Sequence, residues 1–171
     1  MPFARAHDRV AMISAAMGLG ATKVVIDKRE LHRTGPTYTI DTLRELRAEL
    51  AEKVPLIWLI GSDAFAKIDT WQHWQLLFEL THFAVVTRAG EAPLTSVASP
   101  ALAAVISRRT ADAAQAQQDA AGKLVLLTLA SPKISSTQIR ALLQKGESIR
   151  GLLPNTVCDY IEQHGLYLNA N

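Results

Sequence analysis

"LVLLTLASPKISSTQIR", residues 124–140, holds two kinds of pattern in one short stretch. Its first half is an unbroken apolar run, the mark of a strand buried on both faces. Pro132 breaks the chain. Ser135 and Gln138 then stand where a helix start needs them, and "SSTQIRALLQKG" predicts a helix with Gly146 as its C-terminal cap. An apolar strand feeding a helix through a tight turn is half of a parallel α/β unit.

The same unit recurs upstream. "TKVVIDKREL" predicts a short buried strand over 23–27, centred on Val24, Val25 and Ile26. "TIDTLRELRAEL" predicts an amphipathic helix with Ile40, Leu43, Leu46 and Leu50 on one face and Thr39 as its cap. "PLIWLIGSD" predicts a strand over 56–60 that ends at Gly61, "DTWQHWQLLFEL" a helix, and "HFAVVTRAG" a third strand. Residues 97–120 predict one or two helices, and "AGEAPLTSVASP" a surface loop. A helix over 4–17 opens the chain, and "PNTVCDYIEQHG", with Gly165 as its cap, closes it. The fold class that follows is α/β, a Rossmann-like parallel sheet with helices on both faces.

The chain has 171 residues, 49% hydrophobic and 20% charged, enough for one core and one domain over 1–171. The net charge of +2, without a long basic block, fits an anionic small molecule and gives no case for nucleic acid. One cysteine, Cys158, excludes an internal disulfide, so an intracellular, cytoplasmic setting is expected. Asp8 and Arg9 interrupt the first apolar stretch, which excludes a signal peptide, and no run approaches a membrane span. The five histidines show no metal-ligand spacing, so no metal site is expected in the protein itself.

Parallel sheets bind ligands at the carboxyl ends of their strands, and each candidate there has two readings. Ser135, Ser136, Thr137 and Arg140 at a helix start suit a phosphate, but Ser135 with Gln138 is also a capping box that needs no ligand. Gly61 permits close backbone approach and Asp63 can accept from a ribose or an amide, or Ser62 and Asp63 simply cap a helix. Trp71 can stack on a ring, or Trp71 and Trp74 pack into the core. Thr39 is a cap or a ligand contact. Arg88 is a surface residue or reaches a phosphate. Cys158 reads as inert core, and "SRRT", 107–110, as a solvated basic pair.

The order of these elements is more specific than any one of them. "GPTYTIDTLREL", "LIWLIGSDAFAKIDTWQHWQLLFEL", "FAVVTRAG", "ISSTQIR" and "GLLPNTVCDYIEQHGLY" together resemble bacterial nicotinate-nucleotide adenylyltransferase, in the nucleotidylyltransferase superfamily. The resemblance runs from the helix around Arg9 and Met12 to Tyr167. It implies an ATP site of Ile134, Ser135, Ser136, Thr137, Arg140, Gly61 and Asp63, and a nicotinate mononucleotide site of Tyr38, Thr39, Trp71 and Arg88. Backbone amides near Trp71 would meet the nicotinate carboxylate. The mononucleotide phosphate would attack the α-phosphorus of ATP and release pyrophosphate, with Mg²⁺ carried by the ATP phosphates.

The family opens with a strand, a G-G-T/S-F-D-P-x-H-x-G-H motif and a second strand. Residues 1–171 contain no match to that motif, so the resemblance implies N-terminal truncation relative to the family and identifies no catalytic residue. With those strands absent, the strand at 23–27 loses its neighbour and the strand at 56–60 becomes an apolar edge. That favours a homo-oligomer or aggregation. Two other readings remain: a non-catalytic nucleotide-binding remnant, and a sister adenylyltransferase with another acceptor such as phosphopantetheine.

Overall fold

The computed structural model describes residues 4–18, 24–88, 93–129 and 134–168. The elements, in chain order, are α1 (Ala6–Met17), α2 (Thr39–Glu49), β1 (Ile57–Gly61), α3 (Ser62–Phe65), α4 (Trp74–Leu80), β2 (His82–Arg88), α5 (Leu94–Val97), α6 (Pro100–Arg109), α7 (Ala113–Ala116), β3 (Leu124–Leu129), α8 (Ser136–Gln144) and α9 (Asn155–Gln163). They form two compact units. One comprises Met1–His32 with Pro132–Asn171, the other Arg33–Ser131.

The second unit holds the sheet, which is parallel and ordered β1-β2-β3 with helices around it, as the strand–helix alternation predicts. Phe83 of β2 sits beside Trp58 of β1 and Leu124 of β3, and Val85 beside Ile60 and Leu126. That face carries the core. Phe65, Phe78 and Phe83 meet with centroids 4.9 to 6.3 Å apart, packed with Leu77, Leu102 and Ile106.

The amino end of the sheet is fastened by polar groups. Arg47 donates from Nε and Nη2 to the Leu80 carbonyl, from Nη1 to Val54 and from Nη2 to Ala120. His82 is fully buried. Its Nδ1 accepts from the Lys123 amide at 3.0 Å, and its Nε2 lies 2.8 Å from the Asp119 carbonyl. One planar cation thus serves three carbonyls that no strand or helix satisfies.

The first unit packs α1, α8 and α9 around Ile139, Leu143, Ile149, Val157, Cys158 and Ile161. Buried Asp8 of α1 accepts from the Tyr160 hydroxyl of α9 at 3.1 Å and pairs with His7 at 3.0 Å. Helices α8 and α9 both end as the glycines predict. Gly146 and Gly165 take φ of +71° and +57°, and the amides of Glu147 and Leu166 reach back to the carbonyls of Leu142 and Ile161. Cys158 is buried, as expected of an inert core thiol.

Several expectations need correction. Residues 24–28 form no strand, and Lys23 lies outside the described residues. Val24 is 50% exposed and Val25 87%. A lone strand has nothing to satisfy its backbone, and Asp27 offers a local alternative. Its carboxylate binds the Arg29 amide at 2.8 Å and the Arg29 side chain at 2.6 Å, leading into a 3₁₀ turn over Arg29–His32. The helix expected from Asp69 onward is broken. Ile68–Thr70 is a 3₁₀ turn, Trp71 is extended and His73 is left-handed at φ +52°, so α4 starts only at Trp74. Thr39 is the first helical residue of α2 rather than its cap. Tyr38 holds the cap position. The strands are not uniformly buried. Central β2 is buried from His82 to Val85 and opens toward exposed Arg88, while Ile57 and Leu59 of β1 are 51% and 67% exposed, the apolar edge expected of 56–60. In "SRRT", Arg109 is only partly solvated. It binds Glu79 at 2.7 Å and the Gly122 carbonyl at 3.1 Å, and lies over the Phe78 ring. No helix among the described residues is long and apolar enough to cross a membrane.

Candidate active site

The sequence candidates fall into both units. In the sheet unit they collect at the carboxyl ends of the strands. Gly61 is the last residue of β1 and also caps α3, with Asp63 in the first turn. A Cβ on Gly61 would sit 2.7 Å from the Asp63 Oδ1, so glycine is what lets that carboxylate fold back over the strand end. Arg88 is exposed at the last position of β2.

Tyr38 and Thr39, 32 residues upstream of the Thr70-Trp71 element in sequence, meet it in space. Thr37, Tyr38, Thr39, Thr70, Trp71 and Gln72 line one cavity of about 400 Å³. Trp71 serves both of its readings. It packs against the core, and it lines this cavity. The Trp71 amide is already donated to the Ile68 carbonyl at 2.9 Å. The neighbouring amides of Gln72 and His73 have no protein acceptor among the described residues, and the extended Trp71 and left-handed His73 turn this segment away from helical bonding. That broken helix start is what frees donors beside Trp71.

In the other unit, Ser135 caps α8 by accepting from the Gln138 amide at 3.1 Å, so the cap forms through its serine half, without the reciprocal glutamine bond of a full capping box. Capping leaves the following turn available. Ser136 and Thr137 open the helix, and Arg140, half-buried one turn on, reaches back to the Thr137 hydroxyl at 3.4 Å. Ile134, Ser135, Ser136 and Arg140 line a cavity of about 550 Å³ whose other walls include Met12 and Tyr167. A helix N-terminus, two hydroxyls and a guanidinium beside an apolar wall can hold an anion attached to a flat apolar group.

Sequence reasoning did not single out Arg9, Met12 and Tyr167 for this cavity, nor Thr37, Thr70 and Gln72 for the other. No local signal marks them. Their placement follows from α1 packing on α9 and from the break before α4. Among the described residues no group of three or more His, Cys, Asp or Glu side chains is arranged to hold a metal ion. A divalent ion carried on triphosphate oxygens needs no such cage.

Comparison with known proteins gives a consistent result. A family described as cytidylyltransferase-like matches residues 1–142. A probable nicotinate-nucleotide adenylyltransferase of Pseudomonas syringae pv. tomato is 38% identical over 172 residues, covering 100% of this chain and 75% of that protein. One of Stenotrophomonas maltophilia is 39% identical, with 98% and 77% covered. Among solved structures, Plasmodium falciparum nicotinic acid mononucleotide adenylyltransferase complexed with NaAD superposes with a TM-score of 0.67, 18% identity, 98% of this chain and 76% of that one. The complex of that enzyme with APC gives 0.63 at 20% identity. The solved structures support the Rossmann-like fold, and the relatives, at this identity over nearly the full chain, establish that the chain belongs to the nicotinate-nucleotide adenylyltransferases of the cytidylyltransferase-like family.

Proposed function

We propose that the chain carries the adenylyl-transfer site of NAD biosynthesis, joining ATP and nicotinate mononucleotide to give nicotinate adenine dinucleotide and pyrophosphate. One observation carries the acceptor assignment: Tyr38, Thr39 and Trp71, separate in sequence, line a single cavity beside unengaged backbone amides. In this reading the nicotinate ring lies against Trp71, and the amides of Gln72 and His73 receive its carboxylate. Arg88 meets a phosphate. Ile134, Ser135, Ser136, Thr137 and Arg140 hold the ATP triphosphate, and Gly61 and Asp63 contact the nucleotide.

The chemistry forms a P–O bond between an acceptor phosphate oxygen and the α-phosphorus, and breaks the bond from that phosphorus to the bridging oxygen of pyrophosphate. It asks for alignment and charge neutralisation rather than a nucleophilic side chain. Mg²⁺ bound to the ATP phosphates would neutralise part of their charge. The same reading takes residues 1–171 as one nucleotidylyltransferase-like domain of a cytoplasmic enzyme.

The test measures pyrophosphate release from ATP with nicotinate mononucleotide, and separately with nicotinamide mononucleotide. Residues 1–171 are run beside a version extended upstream by the family's G-G-T-F-D-P-x-H-x-G-H segment. The expected result is negligible turnover by residues 1–171, since the two histidines of that segment would stabilise the reacting phosphates and one such donor is worth about 10²–10³ in rate. The extended version should turn over and prefer the acid by about tenfold or more, the worth of a charge-assisted hydrogen bond. Equal affinity for acid and amide mononucleotides would overturn the acceptor assignment. Comparable turnover by the two versions would overturn the role given to the upstream segment.

A further inference from the structure

A second cavity of about 530 Å³ lies at the opposite, amino end of the sheet, between α4, α6 and the segment entering β3. Its lining includes Phe78 of α4, Val105, Arg108 and Arg109 of α6, and Lys123. None of these belongs to the adenylyl-transfer site, whose sheet residues lie at the carboxyl ends of the strands. Arg109 is immobilised on three sides. Its Nη2 binds Glu79 at 2.7 Å, its Nη1 donates to the Gly122 carbonyl at 3.1 Å, and its guanidinium carbon lies 5.3 Å from the Phe78 centroid. The result is a fixed planar cation backed by an aromatic ring, a surface that suits stacking by a second flat group.

Charge in the cavity is uneven. Arg109 is balanced by Glu79, and Lys123 has only a long contact to Asp119, at 3.4 Å. Arg108 spends its Nε on the Ala104 carbonyl at 3.2 Å and has no carboxylate partner among the described residues. Its two terminal nitrogens are therefore available to an anion in the forked geometry that carboxylates and phosphates accept. Leu76 and Val105 give the cavity an apolar wall that a simple inorganic ion would not use.

We propose that this cavity binds an anion carried on a flat aromatic body, with the ring stacked on the Arg109 plane and the anionic group between Arg108 and Lys123. Two sources share that chemistry, an aryl phosphate and an aryl carboxylate, and neither is the triphosphate substrate.

Isothermal titration with four probes tests this: 2-naphthyl phosphate, 2-naphthoate, neutral 2-naphthylmethanol and inorganic phosphate. Binding by either or both naphthyl anions, at least tenfold tighter than by the neutral alcohol or by phosphate alone, is expected. The anion that binds identifies the source. Arg108→Ala with Lys123→Ala should weaken that binding at least tenfold, while Arg140→Ala leaves it unchanged and saturating ATP does not displace the probe. Circular dichroism confirms that the double variant, altered only at exposed or half-exposed positions, is folded. Binding unaffected by the double variant, binding displaced by ATP, or no preference for the naphthyl anions would each overturn the proposal.

Discussion

Replacing Gly61 by alanine should separate nucleotide binding from stability. The backbone at Gly61 has φ −74° and ψ 152°, a region open to any residue, so alanine introduces no dihedral strain. Its only close neighbour would be Asp63 Oδ1, at 2.7 Å from the new Cβ. Restoring ordinary contact moves that oxygen out from 2.7 to 3.4 Å, a retreat of about 0.7 Å. Asp63 is short, exposed and in the first turn of a four-residue helix, so it can give way without disturbing the core. A hydrogen bond that Asp63 accepts from the nucleotide at ~2.8 Å would stretch to ~3.5 Å and be mostly lost. Such a bond to a charged acceptor is worth ~1.5–3 kcal/mol, which is about 10- to 100-fold in Kd. Folding should respond in the opposite sense, gaining ~0.4–1 kcal/mol from the reduced freedom of the unfolded chain. Titration calorimetry with ATP and urea denaturation of the same variant give both quantities. Asp63→Ala should weaken ATP to a similar degree, and the double variant should be no worse than either alone. An unchanged ATP affinity in Gly61→Ala would refute the placing of Asp63 against the nucleotide. A matching loss of stability would refute the steric account.

Arg140→Ala should weaken ATP by about tenfold or more, the worth of one charge-assisted contact to phosphate, and unchanged affinity by calorimetry would remove Arg140 from the triphosphate site. Arg47→Met keeps the apolar stem but leaves the Leu80 and Val54 carbonyls without their donor and the Ala120 carbonyl with the Leu56 amide alone, and should cost ~2–4 kcal/mol in chemical denaturation. A loss under ~1 kcal/mol would mean that water serves those carbonyls equally well. Burial, aided by Glu162 and Asp159 and opposed by Arg150, pushes the Cys158 thiol above its ordinary range. The folded chain therefore holds that proton more tightly than the unfolded one. The associated stability is intact below the ordinary thiol range and falls as pH rises through and beyond it. Cys158→Ala should flatten that part of the pH–stability curve, and an identical slope in both proteins would count against the burial account.

Parallel α/β character was legible because β2 and β3 carry the apolar runs Phe83–Val86 and Leu124–Leu127 and are followed by recognisable helix starts. Ser135 with Gln138, Gly146 and Gly165 behave as their local chemistry dictates, since capping is decided within a few residues. Val24 and Val25 misled for the opposite reason. A strand is stable only against a partner, and no local pattern shows whether one is present. The break at Trp71–His73 was hidden by good helix-forming neighbours, yet it is what sets Trp71 beside Tyr38 and exposes the adjoining amides. Candidate residues at strand ends could be picked out because parallel sheets present their carboxyl ends to ligands. Met12 and Tyr167 could not, because their place in the Ser135 cavity depends on contacts between distant parts of the chain.

The pairing of α1 with α9 sets a timetable for synthesis. Residues 33–131 form a continuous unit whose contacts can close as soon as that stretch has left the ribosome. The first helix has no such freedom. Asp8 must wait for Tyr160, 152 residues later, and Ala15 for Thr156, 141 residues later. At ~5–20 residues per second, α1 spends on the order of 10 s without its partner while the sheet unit is already assembling. Ile13 and Met17, each nearly half exposed even in the finished fold, are uncovered throughout that interval. Nascent α1 is therefore open to a chaperone throughout that interval, and any change that slows emergence of the last forty residues lengthens its exposure in proportion.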